Sequence, residues 1–556
     1  MKHNVILLLC LVLGLFSCYD DKGNYDYREI DELTITGIPE ELMSALYKSE
    51  NLVLSPAVTS KFDGVINADD PNYEFSYYYD RPVGGDFLEP RLLDSSRVKD
   101  LNILAEIDPG NYTVWFKVKD LRTNIVTSAE FKLSVVTSTT KGWVVLCEEG
   151  SERKVRIDMI GEVGDRIAVS RNLLDFLPES HGACQILLES NMLYTANSPY
   201  LNLYTEDNSF CIWSYNGNFN RNFNDPRSTV FARSIDDFIV REENNYSYIV
   251  ITADGDVYQK MSSSSALYDV KINVDEPFGE PNYKMAPFIG VGWSNGYNGI
   301  LYDKTNRRFK YFLQYAVIPN GTKYLFDPKE PETGSKLFDW NTGKDMVYMA
   351  GTRQGGGNLV FALLKDAAGQ YSIYGITAGQ YQDSPVQSTY MDIDAAKAPG
   401  LANATCFAFH PTLPFLIYNS GNEVYLYDMS TRSARRVLIL PGENSVSMLK
   451  FNKLPRLGLG HSIHYPDVAI DCQYRLAVGS VNSDAEAGSE GILRFYDVPE
   501  FAGDLTQFGE TYTGFGIVKD IAYKAAFIII RRRISLPAVR SFCRTITERF
   551  RRISSS

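Results

Sequence analysis

The chain has 556 residues, more than one domain's worth, and 44% of them are hydrophobic, enough for a large core. Its net charge of −13 argues against a general phosphate-backbone binder, so no nucleic-acid partner is expected. The high counts of 36 Tyr and 30 Phe favour sheets over helices.

Lys2 and His3 open the chain, and an uncharged run, VILLLCLVLGLF, follows from Val5 to Phe16. These twelve residues are too few to cross a bilayer, which needs about 20. Closed by Ser17 and Cys18, the run reads as a signal peptide over residues 1–17. Residues 18–28, with Asp20 and Asp21 just after the Cys, read as a polar tether.

Residues 29–138 alternate in the manner of strands. The clearest is Pro109-Gly110 feeding Asn111 to Asp120, where Tyr112, Val114, Phe116 and Val118 share one face. A last strand, Ala129 to Val136, alternates likewise. Short strands without a helical period predict a β-sandwich.

The stretch Leu15-Phe16-Ser17-Cys18 resembles a bacterial lipobox, with Phe16 bulkier than usual. The segments PGNYTVWFKVKD and AEFKLSVV resemble the closing strands of PKD and related Ig-like modules. Together with CYDDKGNYDYREI after the lipobox, they resemble the PKD-like lipoprotein family of Bacteroidota. That resemblance implies cleavage before Cys18, lipid on its thiol, and several acyl chains as a stable anchor. It also implies an outer-membrane location facing the cell exterior, a sandwich acting as spacer, and partners in nutrient uptake, often of glycans.

Residues 139–524 repeat an apolar strand, a Gly/Asn/Asp turn and a Tyr-rich strand. The sharpest copies are Phe415 to Asp428 and Tyr248 to Tyr258. Looser copies join Met192–Tyr194 to Cys211–Trp213, Gly299–Tyr302 to Phe309–Tyr311, Met346–Tyr348 to Tyr371–Tyr374, and Arg475–Val478 to Ile492–Asp497. With the opening strand Gly142 to Cys147, these make about seven units, within a range of six to eight. A strand repeat near 50 residues predicts a β-propeller, with a large sandwich array as the alternative. The fold class expected is therefore all-β, a PKD/Ig-like sandwich followed by a propeller. The final stretch, 525–556, holds eight Arg, no Lys and one acid, Glu548, and is expected to lie outside the fold.

Chemical motifs are sparse. Gly292-Trp293-Ser294-Asn295-Gly296 fits G-x-S-x-G, but a strand rather than a helix follows, so a hairpin loop is expected and no catalytic residue is assigned. Gly355 to Gly357 lack the Lys-Ser/Thr of a phosphate loop, and Asp254-Gly255-Asp256 is too short for an EF-hand. His461, His464 and Asp467 are weak metal candidates without a fourth ligand, and no cofactor is expected. The eight cysteines lack any CxxC spacing, and those inside apolar runs read as small buried hydrophobes. Trp213, Tyr215, Trp293, Tyr297 and Trp340 lie in or beside turns and are the candidates for stacking on a sugar. Three functions stay open: a non-enzymatic surface lipoprotein binding a ligand or partner, a carbohydrate-active propeller enzyme with carboxylates at the channel mouth, and a pure assembly protein marked by a large exposed apolar patch.

Overall fold

The computed structural model describes residues 31–524 apart from 85–86, 95–97, 164–165, 191–198, 216–217, 220–238, 245–248, 261–267, 275–282, 294–297, 314–323, 380–382, 454–470 and 502. The chain divides into two compact units, Met1–Val135 and Val136–Ser556. Among the described residues, no helix is long and apolar enough to cross a membrane. Cys18, the expected signal segment 1–17 and the basic stretch 525–556 lie outside the described residues.

The first unit is a sandwich. A five-stranded sheet runs in the order Met43–Leu46, Val126–Val136, Gly110–Asp120, Tyr73–Gly84, Phe87–Leu92. A three-stranded sheet and the pair Asn51–Leu54 with Leu101–Leu104 complete it. In Gly110–Asp120 every even residue from Tyr112 to Asp120 is buried, as the pleat demands. Its neighbour contributes Phe131, Leu133 and Val135, and all of these apolar side chains join one core with Leu52, Val58 and Phe75.

Among its described residues the second unit holds seven sheets, each drawn from one consecutive stretch of chain except the first. That first sheet runs Arg166–Ser170, Lys154–Val163, Gly142–Glu149, Ile517–Lys524, so the last strand of the chain pairs with the opening one. Five further sheets have four strands, and the remaining one has two, Asn298–Asp303 and Arg308–Leu313. Isolated bridges at Gly290–Ile300 and Tyr311–Phe326 flank that two-stranded sheet in the positions of a first and fourth strand.

Each sheet shares a hydrophobic cluster with the next. Val144 and Leu146 of the first pack with Ile186 and Leu201 of the second, and Tyr204 meets Val250 of the third. Ile251 meets Leu301, Ile300 meets Val360, and Phe361 meets Leu416. Ile417 packs with Val478 of the seventh sheet, and Phe495 of that sheet packs with Trp143 of the first. Shared clusters thus link the seven described sheets in chain order and the seventh with the first, an order that accords with the propeller expectation. Sheets covered on both faces explain the unbroken apolar runs such as Phe415 to Tyr418, where alternate residues serve opposite neighbours.

Two hairpins differ from the sequence expectation. The second sheet's hairpin is Pro199–Thr205 with Ser209–Tyr215, and Met192–Tyr194 lies outside the described residues. In the fifth sheet Met346–Tyr348 pairs with Leu359–Lys365 rather than with Tyr371–Thr377, because an extra strand intervenes. The apolar LVFALLK run is that strand, and it lacks the Tyr-rich alternation by which the other units were recognised.

Candidate functional site

Within each complete sheet of the second unit the first strand runs into a loop that leads back to the second strand. Four of these loops, from the fourth to the seventh sheet, meet. Gly292 and Trp293 follow the Gly290 bridge of the fourth sheet. Thr352 to Asn358 follow Asp345–Gly351 of the fifth, and His410 to Pro414 follow Phe407–Phe409 of the sixth. Asn452 and Lys453 follow Ser445–Phe451 of the seventh, and Tyr474 stands just before its next strand, Leu476–Val481.

Small residues bring these backbones into direct contact. A Cβ on Gly351 would stand 1.9 Å from the Val291 carbonyl oxygen, and one on Gly292 would stand 2.1 Å from that of Gly357. The Trp293 amide donates to the Thr352 carbonyl at 3.2 Å. The Arg353 amide donates to Pro411 O at 2.8 Å, and the Gln354 side-chain amide donates to His410 O at 3.1 Å and Leu413 O at 2.7 Å. His410 is buried, and burial pushes its pKa down to about 4, so it is neutral at pH 7. Its Nδ1 accepts from the Thr412 and Leu413 amides, which shapes the turn that holds Arg353 and Gln354.

On this floor stands a cation–aromatic group. The exposed Arg353 guanidinium lies 5.7 Å from the Trp293 ring centre and 5.4 Å from that of Tyr474, and it donates to the Tyr474 hydroxyl. The Lys453 ammonium donates to the Gly292 carbonyl at 3.0 Å, joining the seventh sheet's loop to the fourth's. Desolvation, and then the charge of Arg353, push the Lys453 pKa down to about 7. The arrangement offers flat aromatic surface beside the Arg353 charge and a Lys453 amine that is about half protonated at neutral pH.

Of the five aromatic candidates, the structure places Trp293 at this group, half-buried. Trp340 is core instead: it is 4% exposed, its indole donates to Lys329 O at 3.0 Å, and its ring packs edge-on against Phe338 and Phe309. The strand Ser209–Tyr215 carries Trp213 and Tyr215 in the second sheet, but their side chains lie outside the described residues. Tyr297, Ser294, His461, His464 and Asp467 also lie outside them. Arg353, Lys453 and Tyr474 escaped the sequence reading. Arg353 adjoins the glycine run that marked a turn, but nothing linear connects it to residues about 100 positions further on.

Other charged clusters are internally neutralised. Asp254 and Asp256 take Lys284 at 3.1 and 2.8 Å, and Asp256 also takes Lys271 at 2.7 Å, so ammonium groups occupy the place a cation would take. Asp520 accepts from the Ile186 amide at 2.9 Å and from Lys450 at 2.5 Å, tying the first sheet to the second and the seventh. Glu148 accepts from Arg153 and from the Ala183 amide; burial works against its charge, but these donors and Lys519 hold its pKa below the usual range. Among the described residues no group of His, Cys, Asp and Glu could hold a metal ion. Among the described cysteines, Cys147, Cys184, Cys406 and Cys472 are free thiols, and burial pushes that of Cys147 well up.

No curated protein matches the chain. Among solved structures, a quinonprotein alcohol dehydrogenase-like protein from Bacteroides thetaiotaomicron is 10% identical, with 88% of this chain and 97% of that one covered and a TM-score of 0.36. An extracellular domain assigned to a one component system of B. thetaiotaomicron is 8% identical, covering 88% and 71%, with a TM-score of 0.32. An uncharacterized protein from Listeria monocytogenes is 7% identical, covering 62% and 90%, with a TM-score of 0.29. Likenesses this distant carry no argument about function. The family comparison is informative for the N-terminal part, and it runs past the sandwich into the first sheet of the second unit: residues 18–178 match the PKD-like family.

Proposed function

We propose that this protein is a non-enzymatic lipoprotein, held at the outer-membrane surface by lipid on Cys18, whose second unit binds a glycan in nutrient uptake. The lipobox-like run before Cys18 supports the anchored part of this reading. The observation that carries the binding part is the gathering of Trp293, Arg353, Lys453 and Tyr474 from three sheets' loops. Protein sites for sugars need a flat apolar face and a few placed polar groups, and this group has both. A general acid needs a raised carboxyl pKa, whereas each described carboxylate with a resolved shift, such as Glu148, Asp254 and Asp392, is shifted down.

A glycan array probed with the full-length protein in detergent tests the binding reading. Binding to at least one glycan class, lost in Trp293→Ala and without release of reducing ends, is the expected result. Silence across the array would sink the glycan reading, and released reducing ends would replace the binder with a hydrolase.

A further inference from the structure

We infer that the ligand of this face is an acidic saccharide, its carboxylate or sulfate held by Arg353 and Lys453 while a sugar ring lies against Trp293 or Tyr474. The inference rests on the binding reading above and adds its chemical class.

Three observations lead to it. First, several described arginines are matched to acids, and others, such as Arg241 and Arg435, donate to backbone carbonyls. Arg122 meets Asp63 at 2.7 Å, Arg153 meets Glu148 at 2.9 Å, Arg308 meets Asp303 at 2.9 Å and Arg494 meets Glu443 at 2.8 Å. Arg353 differs: its partners among the described residues are two aromatic rings and a phenol hydroxyl, none of which cancels its charge. Arg353 is exposed, yet its guanidinium is pre-oriented by the rings and its backbone is held by the hydrogen bond that its amide donates to Pro411 O, so little freedom is lost on binding.

Second, a second cation is placed beside it. Arg353 acts on Lys453 through like-charge repulsion, and Lys453 is fixed by its bond to the Gly292 carbonyl. At neutral pH the Lys453 amine is about half protonated, and an anion that reaches it beside Arg353 relieves the repulsion and favours its charged form. In a chain of net charge −13, such a spot is opposite in sign to the whole. Third, the aromatics that orient Arg353 are also surfaces on which a sugar ring can lie, and Trp293 is half-buried rather than enclosed. A small inorganic anion would use the cations and leave the rings idle. An acidic saccharide uses both.

Calorimetric titration of the full-length protein in detergent tests this with four probes: oligogalacturonate, sulfated chondroitin oligosaccharides, neutral galacto-oligosaccharides of matched length, and oligoglutamate. The expected result is binding of at least one acidic saccharide about tenfold or more tighter than the neutral one, weakening as sodium chloride rises. Arg353→Gln should lower that affinity about tenfold or more, and Arg91→Ala, on the sandwich, should leave it unchanged. Should Arg353→Gln fail to fold, Arg353→Lys, which keeps the charge but loses the planar fork, serves in its place and should still weaken binding. Equal binding of neutral and acidic saccharides overturns the acidic assignment and leaves glycan binding standing. Oligoglutamate binding as tightly as the saccharides overturns the saccharide assignment. Unchanged affinity in the Arg353 variant moves the site elsewhere and overturns the inference. No binding to any saccharide overturns both it and the function on which it rests.

Discussion

Trp293 and Trp340 are the same residue type in superficially similar sequence settings, yet one stands at a loop junction and the other in a core. Their variants should separate cleanly. Trp340→Ala removes a ring packed against Phe309 and Phe338 and should cost about 3–5 kcal/mol of stability, read by denaturant unfolding, while the binding face is untouched. Trp293→Ala should leave the unfolding midpoint nearly unchanged and lower glycan affinity. A second pair of expectations concerns Arg122 in the sandwich. It bridges Asp63 and Asp120, and its hydrogen bonds lead the causes that hold both carboxyl groups below their ordinary pKa. Carboxylates with depressed pKa contribute stability that is present above their unfolded pKa of about 4 and is lost as pH falls through the folded value. Arg122→Leu removes that depression. The acid-unfolding midpoint of the sandwich should therefore move to higher pH, followed by circular dichroism, and an unchanged midpoint would show that Arg122 does not set it.

At the scale of elements, the strand Ile517–Lys524 has a position no other strand has. It joins the opening strand Gly142–Glu149 from the far end of the second unit and carries Asp520, which bonds the second and seventh sheets at once. Its terminal Lys524 is buried, donates to the Thr139 and Thr140 carbonyls, and has its pKa pushed down to about 7 by that burial. A chain ending at Gly516 loses the strand that closes the cycle of contacts. It should lose the cooperative calorimetric transition of the second unit and keep that of the sandwich. Asp520→Ala is a milder cut: it leaves the buried Ile186 amide and the Lys450 ammonium without this acceptor and should cost about 3 kcal/mol. Retention of a full second-unit transition without 517–524 would refute the closing role.

For the whole molecule, the two units and the proposed lipid site at Cys18 make separable predictions. Cys18→Ala should abolish acyl labelling and release the protein from membranes, as judged by fractionation and metabolic labelling. If the variant stays membrane-bound after residues 525–556 are also removed, the anchor lies elsewhere. The seven-sheet unit and the sandwich have separate cores, so the core variant Phe116→Ala should lower the sandwich transition by about 3–5 kcal/mol and leave the other unit's transition in place.

Much of the architecture was legible in the order of residues, because strand alternation is a local property. The period of two in Tyr112, Val114, Phe116 and Val118 set the buried face of one sandwich strand directly, and the described parts of the six hairpin signals and of the opening strand fall in seven different sheets. Unbroken apolar runs such as Phe415 to Tyr418 announced strands covered on both sides. What the sequence by itself determined is thus a two-part, all-β chain with about seven repeated units. Which side chains meet was decided only by the tertiary structure. Arg353, Lys453 and Tyr474 are scattered over more than 120 residues, and they come together because neighbouring sheets present their loops at a common end. The same packing buried Trp340 and left Trp293 half-open. A turn in sequence says that the chain reverses, and only its neighbours decide whether the ring at that turn faces a core or a ligand.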